Sequence, residues 1–256
     1  MTDHPPGTSG VRGTVLTGIV GTFAVAAALA WTGTAPLDAL AAAALLVLLP
    51  ALSVAQARVL GAVEIERVPA YLSSIVSLTL LGAAAVLLGS RSGGARGLGF
   101  EPLPAAAMAA WTAGLVASGL ALLVLFRAVC RRAGWRESPI VRGLLPRTRR
   151  ERGIFVILSG AAGLGEETAY RGYLFATLAP GIGAGGAAVL TSAVFGVLHA
   201  YQGPPGMVRA GLLGGLLAVG LLGSGSLWPP IVAHAVLDAL AGLVLGRWLI
   251  DDGGSP

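Results

Sequence analysis

The chain has 256 residues, of which 55% are hydrophobic and only 11% are charged, with a mean hydropathy of +0.81. A soluble domain carries about 25% charged residues, so this composition excludes an ordinary soluble domain and indicates a polytopic membrane protein. In a soluble protein the net charge of +5 would suggest nucleic acid or acidic partners. Here we assign it to cytoplasmic loops under the positive-inside rule. The single cysteine, Cys130, excludes an internal disulfide.

Polar and apolar segments divide the chain into five parts. Residues 1–12 are polar and rich in Pro and Gly, which predicts a disordered tail. Residues 13–129 contain four apolar runs, each long enough to cross a membrane at about 20 residues. Residues 130–152 hold eight arginines against two glutamates, which predicts a basic cytoplasmic loop at the lipid headgroups. Four more membrane helices are expected in 153–250, followed by a C-terminal tail at 251–256.

The predicted fold is all-α, with about eight transmembrane helices. The expected spans are 14–32, 36–56, 69–89, 104–129, 153–180, a sixth that ends at His199, 207–222 and 227–249. Segments rich in Gly and Pro at 90–103, 180–186 and 203–206 predict breaks between helices. Because the basic segment follows the fourth span and the number of spans is even, both termini are expected in the cytoplasm.

The most unusual stretch, 163–173, places Glu166, Glu167 and Arg171 in a run that is otherwise apolar enough to cross a membrane. Charge in hydrocarbon is costly unless it is paired or solvated. Glu167 and Arg171 are four residues apart with the acid first, the favourable order for an ion pair on one helical face. Glu166 is rotated by about 100° from Glu167 and has no partner in its own helix. We therefore expect Glu167 and Arg171 to form a structural ion pair. Glu166 faces a different side of the helix, and we expect it to be the catalytic carboxylate.

Three further ionisable residues, His199, His234 and Asp238, lie in later apolar runs. Phe195 precedes His199 by four residues, so its ring can pack on the imidazole, and His234 precedes Asp238 by the same spacing. A carboxylate in a low-dielectric pocket is a competent general base, an imidazole beside it can share the activation of water, and a second imidazole can donate to an oxyanion. This set predicts peptide hydrolysis without a serine or cysteine nucleophile.

The alternative for the same residues is a metal site. Two histidines and a glutamate resemble the ligands of a catalytic zinc ion, which keeps an open position for water. The three ligands would be Glu166, His199 and His234, brought together from three separate helices because the His-Glu-x-x-His motif is absent.

Three motifs in order carry a family resemblance: Glu-Glu-x-x-x-Arg at 166–171, Phe-x-x-x-His at 195–199 and His-x-x-x-Asn/Asp at 234–238. Through them the segment from about 150 to 245 resembles the CPBP family of CAAX proteases and bacteriocin-processing enzymes, also called the Abi family. The resemblance implies an intramembrane endopeptidase with a catalytic cavity between helices of the C-terminal half. It also implies a membrane-associated protein or peptide as substrate. Composition already predicts residence in the cell membrane among lipids and no nucleic acid partner.

Carried over by position, Glu166 would activate water with His199 beside it, while His234 and Asp238 would stabilise the oxyanion. The mechanism we prefer uses no cofactor. Prenyl-processing members of the family usually have asparagine in place of Asp238, and an ionised aspartate has no hydrogen to donate. Asp238 is therefore either protonated or acts by orienting and charging His234.

Two functions of other classes remain open. One is a catalytically silent binding or bacteriocin-immunity protein of the same fold, and the other is a transporter whose buried carboxylates relay protons. Filled motif positions favour the enzyme over the silent protein. The polar residues cluster in the second half without a matching set in the first, which disfavours a transporter built on inverted repeats.

Overall fold

The computed structural model describes residues 8–60, 65–92, 94–246 and 248, and the regular structure of this part of the chain is entirely helical. In chain order the α-helices of more than four residues are α1 (Thr8–Trp31), α2 (Pro36–Leu60, with a π-helical stretch at Ala44–Leu48), α3 (Arg67–Gly89), α4 (Ala105–Ala133), α5 (Pro139–Leu144), α6 (Arg149–Glu167), α7 (Phe175–Leu198), α8 (Gly203–Ser224) and α9 (Trp228–Leu240). A π-helical turn, Thr168–Leu174, joins α6 to α7, and another, Ala241–Leu245, follows α9. The all-α prediction is confirmed for these residues.

Seven helical stretches in the described residues are long and apolar enough to cross a membrane. The longest, Arg149–Leu198, has 50 residues and would measure about 75 Å if straight, against a hydrocarbon core of about 30 Å. It breaks at Gly183, where φ is +74° and ψ is 159°, inside the segment 180–186 where a break was predicted. If the parts of this stretch before and after Gly183 are counted separately, the described residues make about eight crossings. The prediction of a polytopic membrane protein is confirmed.

The outer faces of these helices are apolar. Val20, Leu80 and Val189 are exposed by 69%, 64% and 73%. Contiguous apolar surface of this kind is unfavourable in water, whereas lipid tails are its natural environment. The chain is therefore a multi-pass membrane protein whose outer surface contacts lipid.

Some predicted boundaries were wrong. Helix α1 begins at Thr8, so residues 8–12 of the expected disordered tail are helical, while the expected tail 251–256 lies outside the described residues. The expected break at 203–206 comes earlier, at the 3₁₀ turn Ala200–Gln202. Prolines in the first turn of α8 are compatible with a helix because that turn needs no backbone donors.

The basic segment 130–152 is also shorter as a connection than predicted. Helix α4 continues to Ala133 and is capped by Gly134 in the left-handed conformation, with φ of +68°. Helix α6 begins directly after a capping box formed by Thr148 and Glu151. The connection is therefore 134–148, and it contains the short helix α5.

Helix α6 lies at the centre of the C-terminal half, packed against α3 on one side and α9 on the other. Two glycines allow these close approaches. A Cβ on Gly165 would lie 2.3 Å from the carbonyl oxygen of Leu78 in α3, and one on Gly163 would lie 2.6 Å from that of Ile231 in α9. Small residues at helix crossings let backbones approach closely in lipid. These contacts fix the place of the glutamates that follow in the chain.

We predict that Gly163→Ala destabilises the protein by about 1–3 kcal/mol, because the added methyl group overlaps backbone atoms of α9. Gly160→Ala is the matched control, since a Cβ at Gly160 meets nothing within 4 Å and alanine is the better helix former. Thermal unfolding in the same detergent compares the two variants. Equal melting temperatures would show that α6 and α9 do not touch at Gly163.

Candidate active site

The expected ion pair is present at the end of α6. Oε1 of Glu167 accepts a hydrogen bond from Nη1 of Arg171 at 3.0 Å, and both side chains are fully buried. The Arg171 guanidinium lies over the Phe195 ring, 4.4 Å from its centroid, a cation–π contact that suits a desolvated arginine. Gly214 of α8 makes room for it, because a Cβ there would lie 2.3 Å from Nη2 of Arg171.

Glu167 also binds His234 on α9. The same Oε1 atom lies 2.9 Å from Nδ1 of His234. A carboxylate can only accept a hydrogen bond, so Nδ1 carries the hydrogen and donates it. Glu167 therefore orients an imidazole in addition to pairing with Arg171, a role that the sequence spacing does not reveal because the two helices are distant in the chain.

The other nitrogen of His234 faces two more carboxyl groups. Oε2 of Glu166 and Oδ2 of Asp238 each lie 3.6 Å from Nε2. A single imidazole on the neighbouring helix therefore lies between the two glutamates, with Nδ1 toward Glu167 and Nε2 toward Glu166. The two glutamates still differ in exposure, since the Glu166 side chain is 17% exposed and that of Glu167 is fully buried.

His199 lies at the C-terminal end of α7. Its Nδ1 donates a hydrogen bond to the Phe195 carbonyl oxygen at 2.9 Å, because that oxygen can only accept. In the neutral ring Nε2 is therefore left as a hydrogen-bond acceptor. The Phe195 ring packs on His199 with centroids 4.7 Å apart, as predicted, and its edge contact with His234 has centroids 5.9 Å apart. Phe195 thus contacts both histidines.

Four of the six predicted site residues, Glu166, His199, His234 and Asp238, line a cavity of about 660 Å³. Glu167 and Arg171 are not among its lining residues and lie behind it. The cavity also has walls from α2 and α3 and contains polar residues that the sequence reasoning missed: Glu137, Tyr201, Gln202 and Arg209. The cavity is therefore lined mostly by apolar side chains, with a small group of polar and charged residues among them.

A sequence signal could have found Arg209 and also Asp38, a half-buried acid outside the cavity lining that the sequence reasoning passed over. Arg209 is an arginine inside an apolar stretch of α8, and Asp38 is an acid in the first turn of α2. Asp38 accepts a hydrogen bond from the Tyr173 hydroxyl at 2.8 Å and so ties α2 to the π-helical turn. Both charges satisfy the rule that ionisable residues inside a membrane have a partner.

The structure also bears on the zinc alternative. A catalytic zinc site needs three ligand atoms at about 2.0–2.2 Å from one point. In the part of the chain that the structure describes, no group of three His, Cys, Asp or Glu side chains is arranged to hold a metal ion. Glu166, His199 and His234 line the same cavity but do not form such a group, and we derive no step through a metal.

Residues 148–240 match the model of a protein family described as type II CAAX prenyl endopeptidase Rce1-like. The similarity to this family is confined to that segment, which is less than half of the chain. The match begins just before α6 and includes all six predicted site residues, from Glu166 to Asp238. The family is one of intramembrane proteases, which are hydrolases. The chain matches none of the curated proteins and none of the solved structures.

We predict that Glu167→Gln destabilises the protein by about 3–5 kcal/mol, because the Arg171 charge is left buried without a counter-charge. The control is the double variant Glu167→Leu/Arg171→Met, which removes both charges and is expected to recover most of the stability. Unfolding in detergent measures both. A single variant as stable as the wild type would contradict the role of the ion pair.

Proposed function

We propose that the protein is an intramembrane endopeptidase that hydrolyses a peptide bond of a membrane-associated protein or peptide with water activated by Glu166 and His199. The observation that carries the proposal is the convergence of Glu166, His199 and His234, from three separate helical segments, on one cavity inside an apolar bundle. The similarity of residues 148–240 to a CAAX endopeptidase family supports the same reaction class.

Glu166 and His199 supply the two acceptors that a nucleophilic water needs. Glu166 presents a partly exposed carboxylate to the cavity, and His199 presents Nε2 because its Nδ1 is held by Phe195. The water oxygen attacks the carbonyl carbon, one of its protons passes to Glu166, and the carbonyl oxygen becomes an oxyanion. When this intermediate collapses, the C–N bond breaks and Glu166 gives the proton to the leaving nitrogen.

His234 is the proposed oxyanion donor. With Nδ1–H held by Glu167, only Nε2 can point a hydrogen at the oxyanion, and the ring then carries hydrogens on both nitrogens. Glu166 and Asp238, each 3.6 Å from Nε2, place negative charge where it favours that doubly protonated form. We therefore assign Asp238 to charging and orienting His234 rather than to contacting the oxyanion itself.

This mechanism is proposed to need no cofactor, since each proton transfer has a named carboxylate or imidazole. We further propose that the protein lies in the cell membrane with both termini in the cytoplasm. The support is the cluster of arginines in 130–152, whose side chains are exposed, together with a count of eight crossings when the stretch Arg149–Leu198 is divided at Gly183. A catalytically silent protein of the same fold is the alternative, and the following experiment separates the two.

We predict that Glu166→Gln abolishes hydrolysis while folding and membrane insertion stay intact, because the variant loses the general base without leaving a buried cation unpaired. Comparative membrane proteomics of cells producing the wild type or this variant would look for new C-termini that only the wild type generates. Glu66→Gln, at an exposed residue before α3, is the matched control and should behave as wild type.

The same experiment has two further readouts. Cleavage of a substrate found in this way should survive exhaustive chelation of metals, whereas loss on chelation and recovery with added zinc would favour the metal alternative. Substrate cleavage by Glu166→Gln would remove Glu166 from the mechanism. Identical C-termini in cells with and without the wild-type protein would favour the silent protein.

A further inference from the structure

A chain of polar contacts crosses the cavity wall beside the proposed catalytic residues. Arg209 of α8 forms an ion pair with Glu137, and its Nη2 donates to Oε1 of Gln202 at 2.7 Å. Nε2 of Gln202 donates to the Tyr201 hydroxyl at 2.9 Å. The Tyr201 ring lies 6.0 Å from that of His199, centroid to centroid. The proposed mechanism assigns no role to the other residues of this chain of contacts, from Arg209 to Tyr201.

The charges in the cavity are unbalanced. Among the lining residues that the structure describes, Arg209 is the only arginine or lysine, while Glu137, Glu166 and Asp238 are acids. The side chains of Arg209 and Glu137 are nearly buried, at 13% and 11% exposed. The cavity therefore offers one fixed cation to an incoming peptide, and that cation is covered by an acid of the protein itself.

Glu137 differs from the other acids in where it comes from. It lies in the short connection between α4 and α5, directly after Trp135 and Arg136 and outside any helix. The connection is held to the 3₁₀ turn by a hydrogen bond from the Ser138 N–H to the Gln202 carbonyl oxygen at 3.1 Å. Oε2 of Glu137 is buried without a hydrogen-bond partner in the described structure. A buried carboxylate that is only half satisfied is held less firmly than a fully bonded one.

We propose that Arg209 is a substrate-binding residue that takes a carboxylate of the substrate peptide, with Glu137 as the carboxylate it exchanges. This inference rests on the proposed protease function and names a recognition group for it. The planar guanidinium matches the fork geometry of a carboxylate. The substrate carboxylate comes from a free chain end or from an acidic side chain. Gln202 stays on Nη2 and keeps the guanidinium oriented during the exchange.

Because Arg209 is already paired with Glu137, the cavity would select for peptides that carry a carboxylate. A peptide without a carboxylate leaves the Glu137–Arg209 pair in place and gains nothing from Arg209. A peptide that supplies a carboxylate replaces one ion pair with another and frees Glu137 toward the surface. Recognition at Arg209 would then set which peptide bond reaches Glu166 and His199, because all three side chains line the same cavity.

The test measures peptide binding separately from cleavage. Protein carrying Glu166→Gln, reconstituted in lipid nanodiscs and immobilised, is incubated with two random apolar octapeptide libraries that end in a free carboxylate or in an amide. Retained peptides are counted by mass spectrometry. A third library, with an amide end and one internal glutamate, distinguishes the two sources of the carboxylate.

We predict that one of the two carboxylate libraries is retained at least tenfold over the plain amide library. Adding Arg209→Gln should remove this preference. Adding Glu137→Gln should increase retention of the carboxylate library and leave the amide library unchanged, because the internal competitor is gone. The combined variant Glu137→Gln/Arg209→Gln leaves no unpaired charge, so it should fold, and it should show no preference.

Equal retention of all three libraries, including retention of none, would overturn the proposal. The proposal would also be overturned if Glu137→Gln and Arg209→Gln both lost binding of the amide library. That result would show that the ion pair only stabilises the fold. The protease function is tested apart from this. If wild-type protein fails to cut the peptides that Arg209 retains, the binding site stands and the proposed hydrolysis does not.

Discussion

The arrangement of the site depends on one carboxylate oxygen, Oε1 of Glu167, which contacts residues of two helical segments. It accepts hydrogen bonds from Nη1 of Arg171 and from Nδ1 of His234, so the ion pair that neutralises the end of α6 also orients the imidazole on α9. Inside a lipid-embedded bundle no bulk water can replace either donor. The position of His234 relative to Glu166 and Asp238 therefore depends on a pair that does not itself line the cavity.

The pair is imperfectly satisfied, and the packing around it compensates. Oε2 of Glu167 and Nε and Nη2 of Arg171 have no hydrogen-bond partner among the described residues. The face of the Phe195 ring covers the guanidinium, and Gly214 leaves it space. Phe195 also contacts both histidines, so one aromatic ring links the buried charge to the cavity. Partly satisfied buried polar groups of this kind make the arrangement sensitive to any change in helix packing.

The features that could be predicted from the sequence are those that depend on composition or on residues close together in the chain. Helix number, the break near Gly183, the Glu167–Arg171 pair and the Phe195–His199 contact all follow from composition or from a separation of four residues. The link from Glu167 to His234 could not be predicted, because it joins side chains 67 residues apart and depends on how closely α6 approaches α9. Arg209 was missed for another reason: it carries a visible signal, a charge within an apolar helix, that the motif-based reasoning passed over.

The most direct test of this account is ¹⁵N NMR of histidine-labelled protein in nanodiscs, with the His234 signals assigned by comparison with a His234→Gln sample. We predict that Nδ1 of His234 carries a hydrogen in the wild type, with a proton shift typical of a strong hydrogen bond to a carboxylate. Glu167→Gln should move that proton signal markedly. A neutral His234 ring with its hydrogen on Nε2 and a bare Nδ1 would contradict the account, because Glu167 would then have nothing to accept from His234.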